Sequence, residues 1–176
     1  MGYLFGFFFL PSFVLPTVIY DFRKENDIKN WRIVNDAVLG GNSFGLFQLH
    51  PEGYGVFEGE VVHENDGGFT SVQYRFDKLK VKPYNKIAFR IKGSNTNFQI
   101  RVKECLRTHY SYVFEFPALN EWQEIEVSLK NMYPFFRGGK LEKPNFSHDH
   151  IESVSFFIGN NKPDKFHLFI DKIELH

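Results

Sequence analysis

The sequence predicts an all-β protein, folded as an antiparallel jelly-roll β-sandwich. Aromatic residues make up 18% of the 176-residue chain, and bulky rings in this quantity favour strands over helices. After Phe22 the chain consists of short segments in which apolar and polar residues alternate, separated by Gly, Pro, Asn and Asp, with almost no sustained helical period. A series of short strands of this kind is typical of a sandwich or jelly roll.

The alternation predicts about ten strands in one folded domain. We place this domain at residues 20–176, although the alternation of Val18, Tyr20 and Phe22 indicates a first strand that begins near Thr17. The side chains of residues 110, 112, 114 and 116 are all aromatic and share one face, so they are predicted to be core. The ten predicted strands are residues 31–34, 44–49, 54–62, 69–76, 86–92, 98–103, 110–116, 122–129, 151–158 and 166–175.

The opposite, polar sides of three strands carry arginines. Arg75, Arg90 and Arg101 alternate with the apolar residues of their strands, so we expect them to line one polar sheet face. The longest irregular segment, residues 130–150, is expected to be a loop, and long loops inside compact domains are often functional.

Residues 1–19 form an apolar N-terminal segment, with no charged residue between residues 3 and 19. This composition is typical of an export signal or an anchor, although no Lys or Arg precedes the apolar residues and Pro11 and Pro16 interrupt them. We therefore expect an exported or membrane-associated protein with membrane contact through residues 3–19. If the start of the chain is misassigned, a cytoplasmic protein is expected instead.

Charge and cysteine content exclude several classes of function. The 21 basic and 21 acidic side chains cancel, which argues against nucleic-acid binding. Cys105 is the only cysteine, so the chain can form neither an internal disulfide nor a multi-cysteine zinc site. No cofactor is expected, although oxygen-rich loops in a jelly roll are also compatible with a structural calcium ion.

Two glycine-rich loops carry the most specific local pattern, at residues 35–43 and 64–69. The side chain of Asp36 or Asn65 can accept hydrogen bonds from backbone amides, while paired glycines permit positive φ or close backbone approach. If consecutive strands alternate in direction, both loops lie at one end of the sandwich, and the loop that contains Arg137 lies at the other. The predicted structural loop glycines are Gly40, Gly41, Gly67, Gly68 and Gly138.

These motifs, in this order, resemble the complex I intermediate-associated protein family. The matching segments are residues 31–36, 40–43, 57–59, 64–69, 91–93, 134–138 and 166–173, together with Trp122. The resemblance implies a galactose-binding-like jelly roll without catalytic residues. Family members in mitochondria are assembly factors that hold intermediates of respiratory complex I, and plastid relatives act in the biogenesis of photosynthetic complexes. The chain departs from the family in its Phe-rich start, in Leu39 where Met is frequent, and in lacking a recognisable mitochondrial presequence.

The first functional hypothesis is a noncatalytic binding or assembly module. Its partner would be a protein, either a respiratory-complex subunit or an assembly intermediate, held by the glycine-loop end together with the Arg137 loop. The structural alternative is that these loops only close the sandwich. The candidate partner- or ligand-binding residues are Asp36, Ser43, Asn65, Arg75, Arg90, Arg101 and Arg137.

Two other classes of function compete with this hypothesis. A carbohydrate-binding module would bind sugar on a concave sheet face, with Trp31 or Trp122 as stacking platforms and hydrogen bonds from Arg75, Arg90, Gln99 and Arg101. An enzyme would need converging acid and base groups. The candidates for these are a Glu58–Glu64 pair for a glycosidase, or Asp36, Glu64 and His63 for a metal site.

Overall fold

The computed structural model describes residues 14–62, 68–159 and 164–176, and they form two antiparallel sheets. The predicted jelly-roll sandwich is therefore confirmed. Its strands are β1 (Thr17–Asp21), β2 (Trp31–Asn35), β3 (Phe44–His50), β4 (Tyr54–Val61), β5 (Phe69–Lys80), β6 (Lys86–Gly93), β7 (Thr96–Lys103), β8 (Ser111–Ala118), β9 (Gln123–Ser128), β10 (Tyr133–Phe136), β11 (Gly139–Lys140), β12 (His150–Gly159) and β13 (Asp164–Leu175). Short 3-10 helices span Asp36–Leu39 and Leu129–Asn131.

Each sheet is named here after its long C-terminal strand. The β13 sheet has the strand order β3-β4-β13-β6-β9, and β1 also pairs with β13. The β12 sheet has the order β11-β10-β8-β7-β12-β5-β2. Because neighbouring strands such as β4 and β13, or β5 and β12, are distant in sequence, the fold depends on long-range pairing.

The core lies between the inner faces of the two sheets. The predicted inward residues of β6 and β7 are buried, as are Tyr112 and Phe116 of β8, while Tyr110 and Phe114 pack against the core with partial exposure. Full burial of a large apolar side chain contributes about 1.5–3 kcal/mol. The alternation in the sequence therefore identified the inner face correctly. The inward residues of β6 and β7 are Ile87, Phe89, Ile91, Phe98, Ile100 and Val102.

The prediction of a single long loop over residues 130–150 is wrong, because the segment contains the β10–β11 hairpin. β10 extends the β12 sheet by pairing with the start of β8. Arg137 and Gly138 form the turn with φ values of +44° and +81°, and two consecutive positive φ angles suit the right-handed twist of a tight hairpin. Gly138 tolerates this conformation without cost because it has no Cβ.

The prediction that three arginines share one sheet face is also wrong. Arg75 lies on β5 and Arg101 on β7, both in the β12 sheet, whereas Arg90 lies on β6 in the β13 sheet. The alternation of apolar and polar residues along a strand indicates which of its side chains lie on the same side. It does not indicate which sheet the strand joins.

The loops that follow β2, β4, β6 and β8 lie at one end of the sandwich, as the alternation of strand direction predicts. The amides of Gly93 and Asn95 donate to the carbonyls of Leu119 and Ala118 at 2.7 and 2.8 Å, which joins the β6–β7 and β8–β9 connections. Arg137 lies at the opposite end, because β10 pairs with the beginning of β8.

Within the described ranges, no helix has both the length and the apolar content needed to cross a membrane. The predicted apolar segment of residues 1–19 falls largely outside the described part of the chain.

Candidate functional site

Asp36 joins the two glycine-rich loops. Its buried carboxylate accepts hydrogen bonds from the Ser43 amide at 3.1 Å and the Ser43 hydroxyl at 2.6 Å. It also accepts the backbone amides of Gly68 at 2.6 Å and Phe69 at 3.2 Å. The Ser43 hydroxyl oxygen in turn accepts the amide of Val62 at 3.0 Å. One carboxylate therefore holds the loop after β2 against the start of β5.

The local geometry of this junction depends on the glycines. A Cβ on Gly41 would lie 2.2 Å from Asp36 Cγ, so only a residue without a side chain fits there. Gly40 and Gly68 have φ values of +78° and +109°, in the region that favours glycine. Asn65 and Gly67 lie outside the described residues.

The hydrogen bonds at the junction determine the charge state of Asp36. Burial by itself would raise the pKa of this carboxyl, but the bonds from Ser43, Gly68 and Phe69 outweigh burial and hold the pKa below its ordinary value of 3.8. Asp36 and Ser43 are buried and bonded to each other, so their side chains maintain the shape of the two loops.

The outer surface of the β12 sheet, called the polar face below, carries long polar side chains in register. Neighbouring strands place their outward residues side by side, which creates rows across the sheet. The rows are Arg32–Gln73–Ser155–Arg101–Val113–Tyr133, Val34–Ser71–Phe157–Gln99–Glu115, Arg75–Ser153–Lys103 and Ser111–Phe135–Lys140.

A Gln–Arg pair occurs on each side of β12. On β7, Arg101 donates from Nε and Nη2 to Gln99 Oε1 at 2.9 and 2.6 Å, and Gln99 Nε2 donates to Glu115 Oε1 at 2.7 Å. On β5, Arg75 Nε donates to Gln73 Oε1 at 2.7 Å. The two glutamines therefore hold both guanidinium groups in defined positions.

Arg101 is the most enclosed cation of the polar face. Its guanidinium carbon lies 3.4 Å from the Phe157 ring centroid and 5.5 Å from that of Phe135. Burial lowers the pKa of Arg101 to about 10, while Tyr133 and Glu115 act in the opposite direction. The side chain therefore stays cationic at neutral pH.

The outer surface of the β13 sheet carries an aromatic patch formed by Tyr54, Trp122 and Phe169. The Tyr54 ring centroid lies 5.5 Å from that of Trp122 and 5.3 Å from that of Phe169. Phe44 and Leu46 lie on β3 at the edge of the same outer surface, opposite Glu60 and Glu58 of β4, and both are about half exposed. The Arg90 guanidinium lies 4.6 Å from the Trp122 ring centroid and also forms an ion pair with Asp171.

Other predicted site residues have different surroundings. Trp31 is buried in the core and stacks on Tyr74 with ring centroids 5.0 Å apart, so its prediction as a stacking platform is wrong. Arg137 is exposed at its turn, where its guanidinium lies 5.2 Å from the Phe136 ring centroid. His63 and Glu64 lie outside the described residues, and in the part of the chain that is described no group of three or more His, Cys, Asp or Glu could hold a metal ion.

Sequence reasoning missed several residues of these two surfaces. The repeated Gln-x-Arg pattern at residues 73–75 and 99–101 was present as a signal for the polar face. Ser153, Ser155 and Phe157 alternate on β12, but their importance depends on the two strands that flank them. Tyr54 and Phe169 come together only through the β4–β13 pairing.

The segments that build this fold also match a known protein family. Residues 20–170 match the model of the family described as Complex I intermediate-associated protein 30 (CIA30). The chain belongs to this family. A curated relative, Complex I intermediate-associated protein 30, mitochondrial, from Mus musculus, is 19% identical over 180 residues, which cover 89% of this chain and 55% of the mouse protein. The chain thus spans about half the length of this CIA30 relative.

Solved structures similar to this CIA30-family chain include carbohydrate-binding modules. A family 11 module from Clostridium thermocellum, in complex with a beta-1,3-1,4-mixed-linked tetrasaccharide, has a TM-score of 0.68 and 19% identity, with coverage of 93% of this chain and 96% of the module. An agarase has a TM-score of 0.58 and 14% identity, with coverage of 92% of this chain and 24% of the agarase. At these identities the likeness establishes the fold.

Proposed function

We propose that this CIA30-family chain is a noncatalytic module that holds a protein partner through the outer surface of the β13 sheet, which carries the aromatic patch and, at its β3 edge, Phe44 and Leu46. The observation that carries the proposal is that large apolar side chains are left exposed on this one sheet surface: Phe44 at 50%, Leu46 at 51% and Trp122 at 36%. Several exposed large apolar side chains on one surface are typical of an interaction site. The noncatalytic assignment is supported by family membership and by Asp36, whose carboxylate is engaged in the loop junction.

The composition of the aromatic patch fits a protein interface. Trp, Tyr and Arg are enriched among the residues that dominate binding energy, and Trp122 contacts both Tyr54 and Arg90 here. Among the residues that the structure describes, the β3 strand at the edge of this surface has β4 as its only hydrogen-bonded strand neighbour, and such an edge can accept a further strand from a partner.

Family membership favours a particular kind of partner. The mouse relative is named for its association with an intermediate of complex I. We therefore propose that the partner is a subunit or an assembly intermediate of a respiratory complex, bound with apolar side chains against Leu46 and Trp122.

A crosslinked pull-down from the native host, followed by a binding assay with the purified partner, tests this proposal. Leu46→Gln and Trp122→Ala are each expected to weaken binding about tenfold or more, because hot-spot truncation costs about 2 kcal/mol or more. Leu106→Gln is the matched control, since Leu106 is an exposed leucine outside the patch. Equal binding by wild type and by both the Leu46 and the Trp122 variants, or capture of no respiratory-complex protein, would refute the proposal.

Carbohydrate binding on the polar face is a second candidate function. It is supported by the two Gln–Arg pairs, whose amide and guanidinium groups can bind hydroxyls. Calorimetric titration with a panel of oligosaccharides tests it, and no binding at millimolar concentration would count against it.

A further inference from the structure

We propose that the polar face binds an anionic oligosaccharide, one that carries carboxylate or sulfate groups, along β12 between the two Gln–Arg pairs. This inference rests on the second candidate function and goes beyond it by assigning the chemical class of the saccharide. It does not involve the aromatic patch, which lies on the other sheet.

The shape of the polar face defines a path along β12. Ser153 and Ser155 have short side chains and are 1% and 8% exposed. In the rows across the sheet, Ser155 lies between Gln73 and Arg101, and Ser153 lies between Arg75 and Lys103. Long polar side chains thus flank a central line of small residues on both sides.

The charge of the polar face indicates an anionic ligand. In the four rows, five cationic side chains accompany one carboxylate, that of Glu115. Across the described ranges, no carboxylate forms an ion pair with any of these five cations. Several positive charges on one surface attract anions, so an anionic ligand is expected to bind there more tightly than a neutral ligand. The five cations are Arg32, Arg75, Arg101, Lys103 and Lys140.

The guanidinium groups of Arg75 and Arg101 are held in position without a ligand. Gln99 and the Phe157 ring hold Arg101, and Gln73 holds Arg75 while leaving that side chain exposed. A planar guanidinium binds a carboxylate or sulfate with two parallel hydrogen bonds. Because the side chains are already positioned, less conformational entropy is lost on binding.

A hydroxyl-rich ligand fits this surface better than a protein segment does. An extended peptide gains main-chain hydrogen bonds at the edge of a sheet, whereas β12 is an interior strand between β5 and β7. Protein interfaces also have an apolar centre, while Val34 is the one large apolar residue of the four rows that is prominently exposed. Glutamine amides both donate and accept hydrogen bonds, as saccharide hydroxyls require.

Calorimetric titration of the full chain at low ionic strength tests the inference. The probes are oligogalacturonate for carboxylate, dextran sulfate for sulfate, neutral dextran and mixed-linkage β-1,3-1,4-glucan for uncharged sugars, and polyglutamate for an acidic peptide. We expect oligogalacturonate or dextran sulfate to bind at least about tenfold more tightly than the other three, and we expect added salt to weaken that binding. The member of the charged pair that binds identifies the acidic group.

A pair of variants locates the binding surface. Arg75→Gln is expected to weaken binding of the preferred probe about tenfold, the loss of one bidentate charge-assisted contact. Lys92→Gln removes the same charge from the outer surface of the β13 sheet and is expected to bind like wild type. Thermal melts of both variants confirm that they fold.

Four outcomes would overturn the inference. If polyglutamate bound as tightly as the charged saccharides, the polar face would be a nonspecific anion-binding surface. If Arg75→Gln and Lys92→Gln weakened binding equally, the binding site would lie elsewhere. Binding of neutral glucan alone would overturn the anionic class and leave carbohydrate binding intact. No saccharide binding at all would refute both the inference and the second candidate function, while the aromatic patch would be unaffected.

Discussion

Replacement of Asp36 by Asn tests the physical role of the loop junction. In the wild type, one carboxylate oxygen accepts the Ser43 amide, and the other accepts the Ser43 hydroxyl and the amides of Gly68 and Phe69. Asn supplies a single acceptor oxygen and no charge. In either orientation of its amide, at least one buried N–H group faces another donor.

The expected loss of stability follows from these four bonds. One orphaned donor costs about 1–3 kcal/mol, and each bond that loses its charge assistance weakens by roughly 1 kcal/mol. With one donor orphaned and the three other bonds weakened, the free energy of unfolding should fall by about 4–6 kcal/mol for Asp36→Asn. For a domain of this size, such a loss lowers the melting temperature by roughly 8–24 °C.

Thermal and urea unfolding of Asp36→Asn measure this effect. Asp27→Asn is the matched control, because Asp27 is exposed and its carboxylate contacts the nearby Lys29, so its effect should stay within about 0.5 kcal/mol. A melting temperature within about 2 °C of wild type for Asp36→Asn would refute the structural role. If partner binding were lost at the same time, Asp36 would instead act directly in recognition.

The remaining predictions concern the same junction. Because hydrogen bonds hold the pKa of Asp36 below 3.8, its contribution to stability is complete at higher pH and is lost as the pH falls through the lowered folded-state pKa. Urea unfolding between pH 6 and roughly pH 2 should show this loss in wild type and a shallower dependence in Asp36→Asn, whereas identical slopes would contradict it. Gly41→Ala should destabilise the protein by about 2 kcal/mol or more, since its Cβ would lie 2.2 Å from Asp36 Cγ. Gly139→Ala, whose nearest Cβ contact is 3.8 Å, should melt close to wild type, and equal melting of the two glycine variants would argue against the clash.

Local patterns in the sequence predicted much of the fold. Alternation identified the inner faces of β6, β7 and β8, because successive side chains of a strand point to opposite sides. Glycine and asparagine marked the β3–β4 and β6–β7 turns, where Gly53 and Asn95 adopt positive φ. The hairpin at Arg137 was missed because its strands are very short, and β11 has two residues.

The candidate surfaces were less accessible to sequence reasoning than the core. The arginines were found, but Arg90 was placed with Arg75 and Arg101 because all three alternate with apolar neighbours in the same way. The serines of β12 gain their position only because β5 and β7 flank that strand, and Ser153 pairs with Arg75, a residue far away in the chain. Alternation contains no information about such partners.

The sequence by itself determined the class of fold, the inward sides of β6, β7 and β8, and the glycine-rich loops that require special backbone geometry. Each of these depends on residues that are close together in the chain. The tertiary structure alone decided that Asp36 joins two loops, that Arg101 lies against Phe157, and that Tyr54 meets Trp122. These contacts arise from strand order within each sheet, which long-range hydrogen bonding and burial of both inner faces establish together.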